Sequence, residues 1–287
     1  MAPSVAEIWR YPVKSMLGER LAECEIGRAG LAGDRSFALI DLEDGKVASA
    51  KNPHKWASLL SCRAALSDES LVEITLPDGS RMRSDDPGID AALSEVCGRG
   101  VHLASTAPDD RAFEEVWPDI DGLAPQQVID GTNIGTDPDG EKISQFPLGS
   151  AAPSGTFFDV SVLHLLTTQT LAQLQGLAPD ASFDVRRYRP NLVIETGSEP
   201  GFVENGWVGR LLRLGDDVEV SVTLPTMRCV MTTLAQEDLP RDRETLRTIA
   251  AANRIKIEGM GTWACAGVYG DVATAGVVRV GDAVALP

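Results

Sequence analysis

Residues 217–233, DVEVSVTLPTMRCVMTT, set the terms for this chain. Val218, Val220, Val222 and Leu224 alternate with Glu219, Ser221 and Thr223, the period of a half-buried β-strand. Pro225 has no N–H to give a ladder and is expected to end it. Cys229 then falls on a turn or at a strand start, where its side chain can face a pocket. A thiolate ligand, a redox residue and a small apolar filler all suit that position.

Outward from this stretch the chain stays rich in β signals. FALIDLEDGKVAS (37–49) reads as strand, turn, strand around Asp44-Gly45, and LVEITLPDGSRMRS (71–84) repeats the pattern around Asp78-Gly79. Asp-Gly between apolar runs marks a hairpin because both residues tolerate positive φ. TFFDVSVLHLLTT (156–168) and NLVIET (191–196) read as strands. Helices are few. DPGIDAALSEVCG (86–98) carries Ile89, Leu93 and Val96 on one face and stops at Gly98. TQTLAQLQG (168–176) is a short helix, with Thr168 or Thr170 as N-cap and Gly176 as stop. LPRDRETLRTIAAANR (239–254) puts Leu246, Ile249 and Ala250 on one face. Residues 118–155, rich in Pro, Gly, Asp and Ser, show little period and read as a linker or a functional loop. Many short strands with few helices predict a mainly β barrel or sandwich.

Bulk properties narrow the function classes. The chain has 287 residues, 43% of them hydrophobic and 24% charged, enough for one large domain or two ordinary ones with a real core. A net charge of −16 argues against nucleic acid and against an anionic membrane surface. No stretch approaches the roughly 18 apolar residues of a membrane span, and MAPSVAEIWRYPVKSM lacks the apolar core of a secretory signal, so a cytoplasmic location is expected. The five cysteines, Cys24, Cys62, Cys97, Cys229 and Cys265, form no C-x-x-C and no close group. A zinc ribbon, a thioredoxin-type pair and an iron–sulfur cluster are therefore not supported. His54, His102 and His164 are isolated from one another.

The positive charge is patterned. RRYR (186–189) precedes Pro190-Asn191, Lys14-Ser15 follows Tyr11-Pro12, Arg35 ends GLAGDR, and Arg228 adjoins Cys229. Arginine forks, a lysine point charge and small hydroxyls are what an oxyanion site requires. Each arginine taken alone reads as a surface charge or an ion pair.

In order along the chain stand YPVKS (11–15), GLAGDR (30–35), YRPNLVIE (188–195), F-x-E-x-x-W-x-G-x-x-L-x-L-G (202–215), MRCVMTT (227–233) and VRVGD-x-V (278–284). This series resembles the MOSC family, named for the C-terminal domain of molybdenum cofactor sulfurase, and within it the branch of the amidoxime-reducing component. The resemblance implies a mainly β fold with a few helices: a MOSC β-barrel over residues 121–287 and a smaller β-rich N-terminal region over 1–120. It implies molybdenum cofactor, with Cys229 as the sulfur ligand of the metal and the catalytic centre. Lys14, Ser15, Arg35, Arg189 and Asn191 match motif positions expected at the pterin or phosphate. Thr167 and Thr168 fall where relatives place hydroxyls after a strand, and Thr226, Met227 and Arg228 lead into the cysteine. Residues 1–35 would then pack on the C-terminal barrel.

The same resemblance implies an oxidoreductase that reduces N-hydroxylated small molecules with electrons from a separate donor protein. The chain has neither the length nor the cysteines for a fused ferredoxin-like domain, and GRAGLAG (27–33) follows no βαβ pattern that would bind a nicotinamide dinucleotide. A cofactor carrier without turnover and a sulfur-transfer protein stand as alternatives. Cys265 is the competing cysteine. Asp34 beside Arg35 reads as an ion pair, His164 as a satisfied core histidine, and Trp9, Trp207 and Trp263 as core or rim.

Overall fold

The computed structural model describes residues 2–67, 71–108, 112–149, 152–153, 155–197 and 199–285. Its largest element is a nine-stranded mixed sheet. The long strand Gly261–Thr274 lies at its centre, flanked by Leu163–Thr167 on one side and Val218–Met227 on the other. Beyond Leu163–Thr167 come Leu192–Glu195, the sheet's parallel pairing, and then Ser4–Arg10. Beyond Val218–Met227 come Leu211–Leu214 and Val284–Ala285.

This path returns on itself. Val5 N–H donates to Asp282 O (2.9 Å), Gly281 N–H to Val5 O (2.8 Å) and Val284 N–H to Pro3 O (2.9 Å), and Ser4 bridges Ala283. The last strand is thereby joined to Ser4–Arg10, whose far end carries the edge strand Glu19–Leu21. The interior is filled by alternate residues from every wall: Val5 and Ile8, Leu163 and Leu165, Leu192 and Ile194, Leu212 and Leu214, Val220 and Val222, and Val268.

Pro225 does not end its strand. The ladder with Gly261–Thr274 runs on to Met227, with register shifts between Val222 and Leu224 and again between Pro225 and Met227. A bulge on either side accommodates a residue that cannot donate, and it re-aims the chain beyond the strand. Cys229 comes two residues after the strand and opens a short 3-10 turn, Val230–Thr233.

The N-terminal region forms its own core from Phe37, Leu39, Trp56, Leu59, Ile74, Leu93 and Leu103, with Val13 and Met16 inserted into it. The Asp78-Gly79 hairpin is present, with Gly79 at φ 85°. After Asp44-Gly45 the return strand is reduced to a single bridge, Ile40 to Val47. The helix Ile89–Cys97 ends at Gly98 in the left-handed conformation. The helix Thr168–Leu177 is capped by Thr167, one residue earlier than the sequence suggested, and Gly176 lies inside it. The helix Glu244–Ala252 buries Leu246, Ile249 and Ala250.

Residues 118–155 are more regular than their composition indicates. Gln126–Thr132 is helical, and Asn133–Thr136 and Lys142–Pro147 join Ala112–Trp117 in a three-stranded sheet. The turn between the last two strands, around Gly140 at φ 82°, produced the Asp-Pro-Asp-Gly signal that masked them. No helix among the described residues is long and apolar enough to cross a membrane.

Candidate functional site

A cleft of about 110 Å³ opens where the N-terminal region meets the barrel. Three separate parts of the chain bring cations to it: Lys14, Arg35 and Lys51 from the N-terminal region, Arg187 and Arg189 after the first barrel helix, and Arg228 at the end of the bulged strand. Asp159 is the single carboxylate among the described residues that line it, and Cys229 lines it as well. In a chain of net charge −16 this is a local reversal of sign.

The backbone is bent to achieve it. Four non-glycine residues among those described have positive φ, and three are Ser15 (65°), Arg35 (46°) and Arg189 (54°), all on the cleft. Left-handed backbone at residues with a Cβ costs on the order of 1 kcal/mol or more each and persists where surroundings enforce it. Tyr11 supplies part of that enforcement. Its ring lies 4.6 Å from the Arg35 guanidinium and 4.2 Å from that of Arg189. Arg35 also binds Asp34, and it donates to Arg189 O at 3.3 Å. Arg189 donates to Met16 O at 2.6 Å, and burial, with Arg35 close by, lowers its pKa to about 10.

Lys14 binds Asp159 and donates to Phe157 O at 3.0 Å; burial pulls its pKa down although Asp159 opposes this. Lys51 reaches Glu115 at 3.1 Å and Asp159 at 3.3 Å. Burial works against the Lys51 ammonium, but these two carboxylates hold its pKa well above the ordinary value. Ser15 lines the cleft, and its Oγ accepts the Ala50 N–H at 3.0 Å, which fixes the approach to Lys51.

Arg228 is buried beside Cys229. It donates to Tyr188 O at 3.0 Å and contacts His164 Nε2 at 3.3 Å, while its buried Nε has no partner. Burial and the Arg228 charge hold the His164 pKa well below the usual value, so the imidazole is neutral and Nε2 accepts. Neither Arg189 nor Arg228 has a carboxylate within salt-bridge distance among the described residues. Burial raises the Cys229 thiol to about 11, with Lys51 pulling it down and Glu115 pushing it up. Cys229 and Cys265 are both free thiols, but Cys229 is half-buried on the cleft whereas Cys265 is fully buried and donates to Trp263 O.

Several sequence candidates fall elsewhere. Thr167 is not on the cleft: its hydroxyl donates to Glu204 at 2.7 Å and caps Thr170 N–H at 3.1 Å. Thr168 likewise spends its hydroxyl on Glu195 at 2.7 Å. The Thr167 hydroxyl thus serves the start of the helix, whose unpaired N–H groups demand a cap, and the Thr168 hydroxyl ties the helix to the neighbouring strand. Thr226 is buried off the cleft with its Oγ1 unpaired. Asn191 lines the cleft, but its side chain is occupied in holding neighbours, accepting from His164 N–H at 3.1 Å and donating to Asp34 at 2.9 Å. Met227 lines the cleft. Within RRYR the arginines divide: Arg186 pairs with Asp184, Glu237 and Asp238 at the surface, and Arg187 is buried against four backbone carbonyls.

Lys51, Asp159, Glu115, Tyr188 and Tyr269 were not singled out from the sequence. The only sequence signal for Glu115 was the acidic pair inside the apolar run AFEEVW (112–117). Described residues of 118–155 do not line the cleft.

The chain belongs to the MOSC family: the model of the MOSC N-terminal beta barrel domain matches residues 2–111 and that of the MOSC domain residues 153–285. It is 24% identical over 301 residues to mitochondrial amidoxime-reducing component 1 of Homo sapiens, covering 99% of this chain and 82% of that one. The Mus musculus protein of the same name is also 24% identical, over 316 residues with the same coverage. The solved YUAD protein from Bacillus subtilis aligns over 99% of this chain and 94% of its own at 10% identity, with a TM-score of 0.44.

Proposed function

We propose that the cleft binds molybdenum cofactor with Cys229 as the protein's sulfur ligand, and that the protein reduces N-hydroxylated small molecules with electrons from a separate donor protein. The observation that carries this reading is a half-buried thiol in a cleft with two arginines that lack carboxylate partners. An anionic, phosphate-bearing cofactor would supply the charge those arginines lack, and the unpaired Nε of Arg228 offers it a donor. A soft thiolate suits a metal already held by sulfur.

Arg189 and Arg228 would take the anionic end of the cofactor, with Lys14 and Arg35 completing the positive wall. His164, neutral, accepts from Arg228 and fixes the plane of its fork without adding charge. The Cys229 thiol, held at about 11, is protonated at neutral pH, so loading a metal must release its proton. Lys51 beside it favours the thiolate and thus the loaded state. When bound, the cofactor supplies two-electron redox chemistry; in the reaction the N–O bond breaks, two electrons and two protons are consumed, and water leaves. The similarity to proteins named amidoxime-reducing component supports this substrate class.

The test is expression in cells that make the cofactor, followed by measurement of bound molybdenum and pterin and of amidoxime reduction with a chemical electron donor. The wild type is expected to bind both and to turn over, and Cys229→Ala to lose metal and activity. Wild-type protein without pterin sinks the reading. Bound pterin that exchanges into an apo-enzyme, with no reduction of any N-hydroxylated compound, shows a carrier instead.

A further inference from the structure

A second group of ligating side chains lies where the N-terminal region meets the three-stranded sheet, outside the residues that line the cleft. His54, on the helical turn Pro53–Trp56, faces Asp137 and Asp139 on the turn between the strands Asn133–Thr136 and Lys142–Pro147. His54 Nε2 is 3.1 Å from Asp137 Oδ2 and 3.3 Å from Asp139 Oδ2, and all three ligand atoms lie within 4.8 Å of one another.

His54 is within ion-pair distance of both carboxylates, yet Asp137 Oδ2 receives no hydrogen bond from it. A charge-assisted N–H···O bond is about 2.7–2.9 Å long, and one ring N–H shared between two carboxylates serves each only in part. The protein contains a proper imidazole–carboxylate bond for comparison, His102 Nδ1 to Asp90 Oδ2 at 2.7 Å. By contrast Asp137 Oδ2, on a side chain only 1% exposed, has no hydrogen-bond partner. Its other oxygen is fully engaged, accepting from Glu141 N–H at 2.8 Å and Asp139 N–H at 3.0 Å. The turn therefore locks one oxygen and presents the other, bare, to His54 and Asp139. A buried bare carboxylate oxygen requires a cation or a donor.

We infer that His54, Asp137 and Asp139 bind one divalent cation of the zinc class. An ion about 2.0–2.1 Å from each of three tetrahedral ligands sets those ligands about 3.3–3.4 Å apart, close to the two separations found. An imidazole beside two carboxylates favours zinc, or cobalt as its substitute, over magnesium and calcium, which prefer oxygen alone. Two aspartates also match the charge of the ion, and the imidazole adds a nitrogen donor. The two backbone amides on Asp137 are its orienting shell.

The ion has a structural task. It ties the segment that carries Lys51 to the hairpin whose outer partner strand, Ala112–Trp117, carries Glu115. Lys51 and Glu115 are the side chains that act from opposite directions on Cys229. Cation binding at His54 thus clamps together the two arms that set the environment of the cysteine.

The experiment uses the purified full-length protein with its molybdenum content measured, stripped of zinc by a chelator and titrated with zinc chloride and, separately, cobalt(II) chloride. One equivalent of zinc per chain is expected, with a rise in Tm, and the cobalt spectrum should show d–d bands without a thiolate charge-transfer band. His54→Gln and Asp139→Asn should each weaken binding about tenfold or more and abolish the Tm rise. These two side chains are 36% and 62% exposed, so their replacement leaves the core intact, whereas Asp137 holds the turn. No zinc bound by the wild type, equal binding by the variants, or a thiolate band from cysteine overturns the inference. None of these outcomes depends on whether Cys229 holds molybdenum cofactor.

Discussion

His164 Nε2 lies 3.3 Å from Arg228 Nη2, so a neutral imidazole accepts from a buried guanidinium whose chain neighbour is Cys229. The pairing has a measurable consequence for stability. Because burial and Arg228 lower the folded-state pKa of His164 well below 6.5, the unfolded chain takes up a proton there first as pH falls. Stability contributed by this group is unchanged above pH about 6.5 and is lost below it, by up to about 1.4 kcal/mol per pH unit. Denaturant unfolding of wild type and His164→Gln from pH 7.5 to 5 checks this. The difference between the two curves should shrink as pH falls, and a constant difference refutes it.

Gly267 has no room for a side chain. A Cβ there would meet His164 Nε2 at 2.4 Å and Leu165 O at 2.6 Å, and the residue sits at φ 84°. Gly267→Ala should cost on the order of 3 kcal/mol or more, from strain plus the displacement of His164. Gly209→Ala, at φ 81° with nothing within 4 Å, isolates the backbone share and should cost about 1 kcal/mol. Chemical denaturation of both variants measures the gap.

Lys51 holds the Cys229 thiolate within reach. Lys51→Met leaves Glu115 without its ammonium and Asp159 with Lys14 alone, and the thiol, at about 11 in the wild type, should rise further. Each unit of rise removes about tenfold of the thiolate at a given pH. Iodoacetamide labelling of the cofactor-free protein at pH 8.5, read by mass spectrometry on the Cys229 peptide, should slow severalfold. Unchanged or faster labelling contradicts the assigned electrostatics.

Arg187 and Arg186 should behave oppositely although they are neighbours. Arg187, 1% exposed, donates to the carbonyls of Ser182, Thr232, Leu234 and Pro240. Arg187→Met removes these donors, leaving Thr232 O only the Thr245 hydroxyl, and should cost more than about 3 kcal/mol. Arg186→Ala removes surface ion pairs with Asp184, Glu237 and Asp238 and should cost under about 1 kcal/mol. Thermal unfolding of each decides it.

The features legible in the sequence were those written in period and order. The two-residue period of 218–224 located the strand, and the motif series pointed to Lys14, Arg35, Arg189, Arg228 and Cys229, which the fold brings to one cleft. The features that stayed hidden depended on partners. Thr167 and Thr168 carry hydroxyls suited to a ligand or to a local partner, and the nearby Glu204 and Glu195 take both. Pro225 could stop a ladder or sit between two bulges, and only the facing strand Gly261–Thr274 settles which. Lys51 and Glu115 belong to no motif; their position comes from Ala112–Trp117 packing beside the segment 47–51, through Val47 N–H to Ala112 O and Val116 N–H to Lys51 O. Strands within 118–155 were hidden because the turn residues outnumber the apolar ones there.

Strand Ser4–Arg10 pairs with Leu192–Glu195, Val5 facing Ile194. At roughly 5–20 residues per second, a ribosome releases the first of these about 10–40 s before the second exists. The amino-terminal strand must therefore wait, exposed, while the smaller domain forms behind it. A chaperone that shields Val5 and Ile8 during translation would raise the yield of native protein, and a circular permutant with a new start beyond Arg35 would not need one.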